Sequence, residues 1–210
     1  MEYVDESLMP VYRDQIIPLA DVFLPNQFEI EILTGKKITD ELSCLKTMEF
    51  LHDKGIERVV ITSTNLASFS STIRGYASFK NKESGPSSRF TSAGAVTPTR
   101  TPATKDYAPA NRQVCRFDVK RLPVNFVGTG DLLSSLLLVW LHLVQGDLMI
   151  ALGTALSTLE DILKLTYADA KEKANARGSD KIEPGDLELR LVQGVNFLRS
   201  PLSKTMIEKI

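Results

Sequence analysis

The tetrapeptide Gly128-Thr129-Gly130-Asp131 runs directly into an apolar stretch, residues 132–144, and the pair limits what this chain can fold into. The stretch carries Ser134, Ser135 and His142 and is too short to cross a bilayer, so it reads as a buried helix. Two glycines just before a helix let the backbone approach an anion closely, and the unpaired N–H groups of the first turn point at whatever sits over the loop. That geometry suits a phosphoryl group in transfer. Asp131 stands at the expected helix start, where it either caps the helix or, facing the same pocket, takes a proton from an alcohol attacking phosphorus. Read alone, the motif favours the cap, since Asp is among the commonest N-cap residues.

A second motif, Pro25-Asn26-Gln27-Phe28-Glu29, follows the short extended segment 21–24. Asn26 is placed to cap a helix over 27–34, and Glu29, at the third helical position, closes a capping box. An Asn and a Glu at the carboxyl end of a strand also suit the polar crevice of an open α/β sheet, where ligands bind.

The order of elements gives the fold class. Residues 5–17 read as a helix, with Pro10 tolerable only in its first turn. After the Asn26 helix, Gly35 supplies a stop, and Thr39 opens a further helix in which Leu42, Leu45, Met48 and Leu51 recur at helical spacing until Gly55. Residues 58–63 form a buried strand. Strand, helix, helix, strand implies parallel strands joined by crossover helices, hence α/β layers. Residues 72–79 and 114–119 read as exposed edge strands flanking an insertion, residues 81–113, whose Ser, Thr, Pro, Gly and Ala content points to a disordered loop. A long helix follows over 148–176, and the alternation of Leu187, Leu189 and Leu191 with Glu188 and Arg190 predicts a late strand.

Composition excludes several classes of function. The chain has 25 basic against 26 acidic residues, a net charge of -1, so no global field draws it to nucleic acid or an anionic membrane. Cys44 and Cys115 are too few for a disulfide scaffold and lack metal-ligand spacing. No basic region followed by an apolar stretch marks a secretory leader, and a reducing, cytoplasmic location is expected. His52 and His142 are the only histidines, each alone near a helix end, which leaves no room for a His-based nucleophile or a zinc site.

Five stretches, in this order and separation, resemble the ribokinase-like vitamin kinases, and among them the pyridoxal kinases: residues 3–20 (YVDESLMPVYRDQIIPLA), 24–35 (LPNQFEIEILTG), 59–63 (VVITS), 126–131 (FVGTGD) and 187–193 (LELRLVQ). The resemblance implies a three-layer α/β/α fold with a mostly parallel central sheet. It implies transfer of the ATP γ-phosphoryl group to the 5'-hydroxyl of pyridoxal, pyridoxine or pyridoxamine, with Mg²⁺ and a monovalent cation such as K⁺, in a homodimer. Asp131 would be the general base and, with Gly130, would contact the substrate, while Gly128, Thr129 and Gly130 would cradle phosphate. Asn26 and Glu29 would lie near the metal and phosphates, Glu29 holding magnesium through water. Thr62 and Ser63 would contact the ATP phosphates, and Val119, Lys120, Arg121 and Leu122 would form the strip beside the adenosine. Leu24 stands where relatives often carry Thr, which removes one possible metal contact.

One departure weighs against a working enzyme. Members of this family begin well upstream, with the strands of the vitamin pocket and an acidic segment of the type D-P-V-x-G-D that stands just before the position of Met1. Residues 1–210 are therefore expected to form a single, partial kinase domain, N-terminally truncated, whether an isoform, a gene-model truncation or a degenerate copy. The alternatives are a nucleotide-binding or oligomerising remnant, or a hydroxymethylpyrimidine kinase of the same superfamily.

Overall fold

The computed structural model describes residues 5–80 and 112–210, so nearly all of the insertion expected to be disordered lies outside the described residues. The chain begins in four short helical pieces: a 3-10 turn Glu6–Leu8, α1 (Met9–Val11), a π segment Tyr12–Ile16 and a second 3-10 turn Ile17–Leu19. Pro10 and Pro18 each fall at the N-terminal end of a piece, where a missing N–H breaks no helical bond.

Strand β1 (Val22–Phe23) leads into α2 (Gln27–Thr34) through the expected capping box. Asn26 Oδ1 accepts from the Glu29 N–H at 2.9 Å, and the Asn26 N–H donates to Glu29 Oε2 at 2.8 Å. Gly35 ends the helix at φ +69°, a conformation that L side chains adopt only with strain. Beyond it, Glu31 gathers Lys37 Nζ, the Ile38 N–H and Gln27 Nε2, and these donors hold its carboxylate down at about 2.

Helix α3 (Glu41–Asp53) opens at Asp40, not at Thr39. The reason is reciprocal capping: Asp40 Oδ1 accepts from the Ser43 N–H at 2.7 Å, and Ser43 Oγ accepts from the Asp40 N–H at 3.0 Å. Leu45, Met48 and Leu51 are buried as their spacing predicts, while Leu42 is 43% exposed.

The remaining strands are β2 (Arg58–Thr64), β3 (Thr72–Lys80), β4 (Arg112–Lys120) and β5 (Ile207–Lys209), and the five lie in the order β1-β2-β3-β4-β5. β1 and β2 are parallel, with Val22 opposite Arg58 and Phe23 opposite Val59, which requires the intervening α2 and α3 as the crossover. The Lys80 N–H reaches Glu57 O at 3.1 Å and the Arg121 N–H reaches Ser71 O at 2.8 Å, pairing the end of one strand with the beginning of another, so the sheet is mixed. β3 and β4 are not the exposed edges that their flanking insertion implied. The C-terminal β5 covers β4, where the Ile210 N–H donates to Val114 O at 3.1 Å, and Tyr76, Ala77, Val114, Cys115 and Phe117 are buried.

Internal contacts group the chain into two compact units. Of the described residues, the first comprises 5–61, 76–80, 112–116 and 208–210, and its core includes Ile30, Met48, Leu51, Val59, Ile61 and Tyr76. His52, fully buried there, places Nδ1 2.7 Å from Ile56 O and Nε2 2.9 Å from Ser78 Oγ, so it is a satisfied core histidine.

The second unit comprises residues 62–75 and 117–207. It is built on α4 (Thr129–Leu143) packed against α5 (Leu148–Ala176), with Leu133, Leu136 and Leu137 of α4 and Leu148, Leu152 and Leu156 of α5 all buried. The apolar run of α4 is buried on one face only: Leu138, Val139 and Leu143 are exposed.

The strand expected over the alternating leucines is absent. A 3-10 turn, Pro184–Leu187, is followed by a bend and by α6 (Val195–Arg199). The backbone N–H of Arg190, which a ladder would need, is given to Thr166 Oγ1 on α5 at 3.1 Å. The Arg190 side chain binds Asp169 at 2.6 Å, and Arg177 forks onto Asp186. Close by, a Cβ on Gly194 would collide with Ile162 Cδ1, so the chain lies directly on α5 there.

His52 yields a testable pH dependence. Burial pushes its pKa below the ordinary 6.5, against the hydrogen bond to Ile56 O, with Arg112 and Lys80 lowering it further and Asp53 opposing them. A histidine held neutral when folded and free to charge when unfolded makes stability fall as pH drops below 6.5. Urea midpoints at pH 7.5 and 5.5 should show this loss, and His52→Gln should narrow it; an unchanged difference would remove His52 as its source.

Candidate functional site

Helix α4 starts at Thr129, three residues earlier than the apolar run, because Gly128 turns the chain at φ +83° and its carbonyl accepts the first helical bond from the Leu132 N–H at 3.0 Å. The N–H groups of Thr129, Gly130 and Asp131 therefore precede that first bond and have no acceptor within the helix. Asp131 occupies the third helical position and is not the cap. It is exposed, its carboxylate makes no hydrogen bond among the described residues, and only its carbonyl is engaged, by Ser134 Oγ at 2.9 Å and Ser135 Oγ at 2.8 Å.

Two cavities of the second unit meet this turn. One, of about 350 Å³, is lined by Thr62, Ser63, Val119, Lys120, Arg121, Leu122, Thr129 and Gly130, which is the nucleotide-side set predicted from sequence apart from Asn26, Glu29 and Gly128. The other, of about 660 Å³, is lined by Gly128 and Asp131 together with Leu132 and Ser135 of α4 and Pro184, Leu187, Glu188, Leu189 and Leu191 of the segment held on α5. The residues of the loop and first turn divide between them. Phe126, Thr129 and Gly130 line the smaller cavity; Val127, Gly128 and Asp131 line the larger; Asn125 lines both.

A polypeptide that separates two cavities at an anion-binding helix start can hold a phosphate on one side and a proton acceptor on the other. The smaller cavity offers the hydroxyls of Thr62, Ser63 and Thr129, free N–H groups of α4 and the cations Lys120 and Arg121. The larger is mostly apolar, with Asp131, Glu188, Asn125 and Ser135 as its polar groups.

Asn26 and Glu29 belong to the first unit, where the capping box holds them together. Glu29 is exposed, and one of its carboxylate oxygens makes no hydrogen bond among the described residues. An exposed carboxylate with a spare oxygen fits a magnesium ion that keeps most of its water shell. Among the described residues, no group of three His, Cys, Asp or Glu side chains is placed to hold an ion unaided. Asn125, Leu132, Ser135 and Glu188 carried no site signal in the sequence, and Leu187 and Leu189 were legible only as a strand pattern.

Residues 1–168 match the family model described as phosphomethylpyrimidine kinase. The chain belongs to that family. Among curated proteins it is 36% identical over 199 residues to the pyridoxal kinase of Homo sapiens, a match covering 95% of this chain and 57% of the relative. It is 31% identical over 207 residues to that of Arabidopsis thaliana, covering 99% and 56%. The chain thus spans a little over half the length of these relatives. Among solved structures, pyridoxal kinase from Leishmania donovani in complex with ADP and pyridoxamine superposes with a TM-score of 0.75 at 22% identity, over 100% of this chain and 58% of that one. The expected ribokinase-like α/β fold is borne out.

The two glycines of the turn should respond differently to substitution. A side chain at Gly128 is strained by φ +83°, so Gly128→Ala should lower stability by about 1 kcal/mol. At Gly130 a Cβ would meet nothing within 4 Å, so Gly130→Val should fold normally and weaken Mg-ADP binding by intruding on the smaller cavity. Chemical denaturation and calorimetry check both; unchanged nucleotide affinity in a folded Gly130→Val protein would contradict the assignment.

Proposed function

We propose that this chain carries the phosphoryl-transfer site of a pyridoxal kinase, moving the γ-phosphoryl group of ATP to the 5'-hydroxyl of pyridoxal, pyridoxine or pyridoxamine. The reading is supported by the division of the Asn125 to Asp131 segment between two cavities, with the phosphate-binding residues on one side and the candidate base on the other. Relatives at 36% identity named pyridoxal kinase favour the B6 vitamers over a hydroxymethylpyrimidine.

In this reading ATP occupies the smaller cavity, its adenosine beside Val119 to Leu122. Its phosphates lie against Thr62, Ser63 and the N–H groups of Thr129, Gly130 and Asp131. Lys120 and Arg121 add positive potential. The vitamer's hydroxymethyl group approaches from the larger cavity, where Asp131 accepts the hydroxyl proton as the new O–P bond forms and the bond to ADP breaks. Alignment of the two substrates across the turn supplies much of the rate, as phosphoryl transfer asks little covalent chemistry of the protein. Glu29 would hold magnesium through water, and the metal would supply neutralisation of charge on the phosphate oxygens. A monovalent cation, a homodimer, a cytoplasmic location and the membership of residues 1–210 in one kinase domain complete the proposal. A nucleotide-binding remnant is the second reading, supported by the nucleotide-side residues lining a cavity that does not include Asp131.

Pyridoxal-dependent consumption of Mg-ATP by the 210-residue chain separates the two readings. The kinase reading expects turnover that Asp131→Asn lowers by roughly 10² to 10⁴ while Mg-ADP affinity holds. The remnant reading expects nucleotide binding alone. A chain that is folded and binds no nucleotide contradicts both.

A further inference from the structure

Asn125 stands apart from the other residues of the turn. It is the one residue that lines both cavities, it is exposed, and it makes no hydrogen bond among the described residues. Of the next two residues, Phe126 lines the smaller cavity and Val127 the larger, so Asn125 stands at the boundary of both. An unengaged carboxamide there has two N–H donors and a carbonyl to offer, and carries no charge of its own.

We propose that Asn125 is a phosphoryl-positioning residue: its side-chain NH₂ donates to an oxygen of the terminal phosphoryl group and holds that group at the boundary of the two cavities. This rests on the phosphoryl-transfer reading given above. The chemistry of the location supports it. With the nucleotide in the smaller cavity, the third phosphoryl group must reach the boundary for a hydroxyl beside Asp131 to attack it. Of the uncharged polar side chains at the site, Asn125 alone borders both spaces. A neutral donor steadies the anion without trapping it by charge, which suits a group that has to leave.

The discriminating quantity is the difference in affinity between a non-hydrolysable ATP analogue, AMP-PNP, and ADP, each with magnesium, measured by calorimetry on the 210-residue chain. Only the analogue carries the terminal group. The wild-type chain is expected to bind AMP-PNP more tightly than ADP, and Asn125→Val to erase that preference by about tenfold while leaving ADP affinity within about twofold. Asn125→Asp, nearly the same shape with an acceptor and a charge in place of the donor, is expected to reverse the preference. Because Asn125 is exposed and unbonded, both variants should keep the wild-type circular dichroism spectrum. A preference unchanged in both variants, or an equal loss of both nucleotides, overturns the positioning role while nucleotide binding stands. No binding of either nucleotide by the wild-type chain overturns the phosphoryl-transfer reading itself, and this inference with it.

Discussion

Gly128 enters α4 at φ +83°, and the direction the chain takes there decides which residue faces which cavity. An L side chain at this position is strained, so the division of residues 126–131 between the cavities rests on the glycine. The same turn leaves the N–H groups of Thr129 to Asp131 outside the helical ladder, which begins only with the Leu132 N–H and Gly128 O. Anion binding on one side and an unpartnered carboxylate on the other are thus two consequences of one backbone conformation.

The larger cavity has a second requirement, which is met far along the chain. Its outer wall, Pro184 to Leu191, has no strand neighbour and is held instead by side chains of α5. Asp169 and Thr166 take Arg190, Arg177 takes Asp186, and Gly194 lets the backbone settle against Ile162. Further on, Asp161 accepts from the Leu202 N–H at 2.6 Å and the Ser203 N–H at 3.0 Å, and Ser157 Oγ accepts from the Thr205 N–H at 2.9 Å. Burial alone would raise the Asp161 carboxylate, but the hydrogen bonds from the Ser203 hydroxyl, the Ser203 N–H and the Leu202 N–H, with the charge of Lys164, outweigh it and the net shift is downward. One long helix therefore acts as the rail on which the C-terminal segment is mounted.

Local signals were the legible ones. Asn26 and Glu29 are three residues apart, so their capping box depends on nothing beyond the helix they begin, and α5 ends where its apolar pattern ends. The nucleotide-side residues were legible through resemblance, since Thr62, Ser63 and the strip from Val119 to Leu122 lie in short runs beside strands. What failed depended on distant partners. The alternation at Leu187, Leu189 and Leu191 has the period of a strand, but Thr166 claims the Arg190 N–H. β3 and β4 looked like edges because the strand that covers β4 arrives at Ile207. The Asp131 cap failed for a nearer reason, since a glycine at positive φ can open a helix without any side-chain acceptor. Asn125 had no signal at all, because lining two cavities is a property of position in space.

The division of the turn between two substrates is most directly tested by hydrogen exchange of backbone amides on the 210-residue chain. With Mg-ADP, the account predicts added protection at residues 62–63, 119–122 and 129–130, and none at 187–191; pyridoxal added to that complex should then protect 187–191. Protection of 187–191 by the nucleotide alone, or of 119–122 by pyridoxal alone, would show that the turn does not separate two sites and would contradict the account.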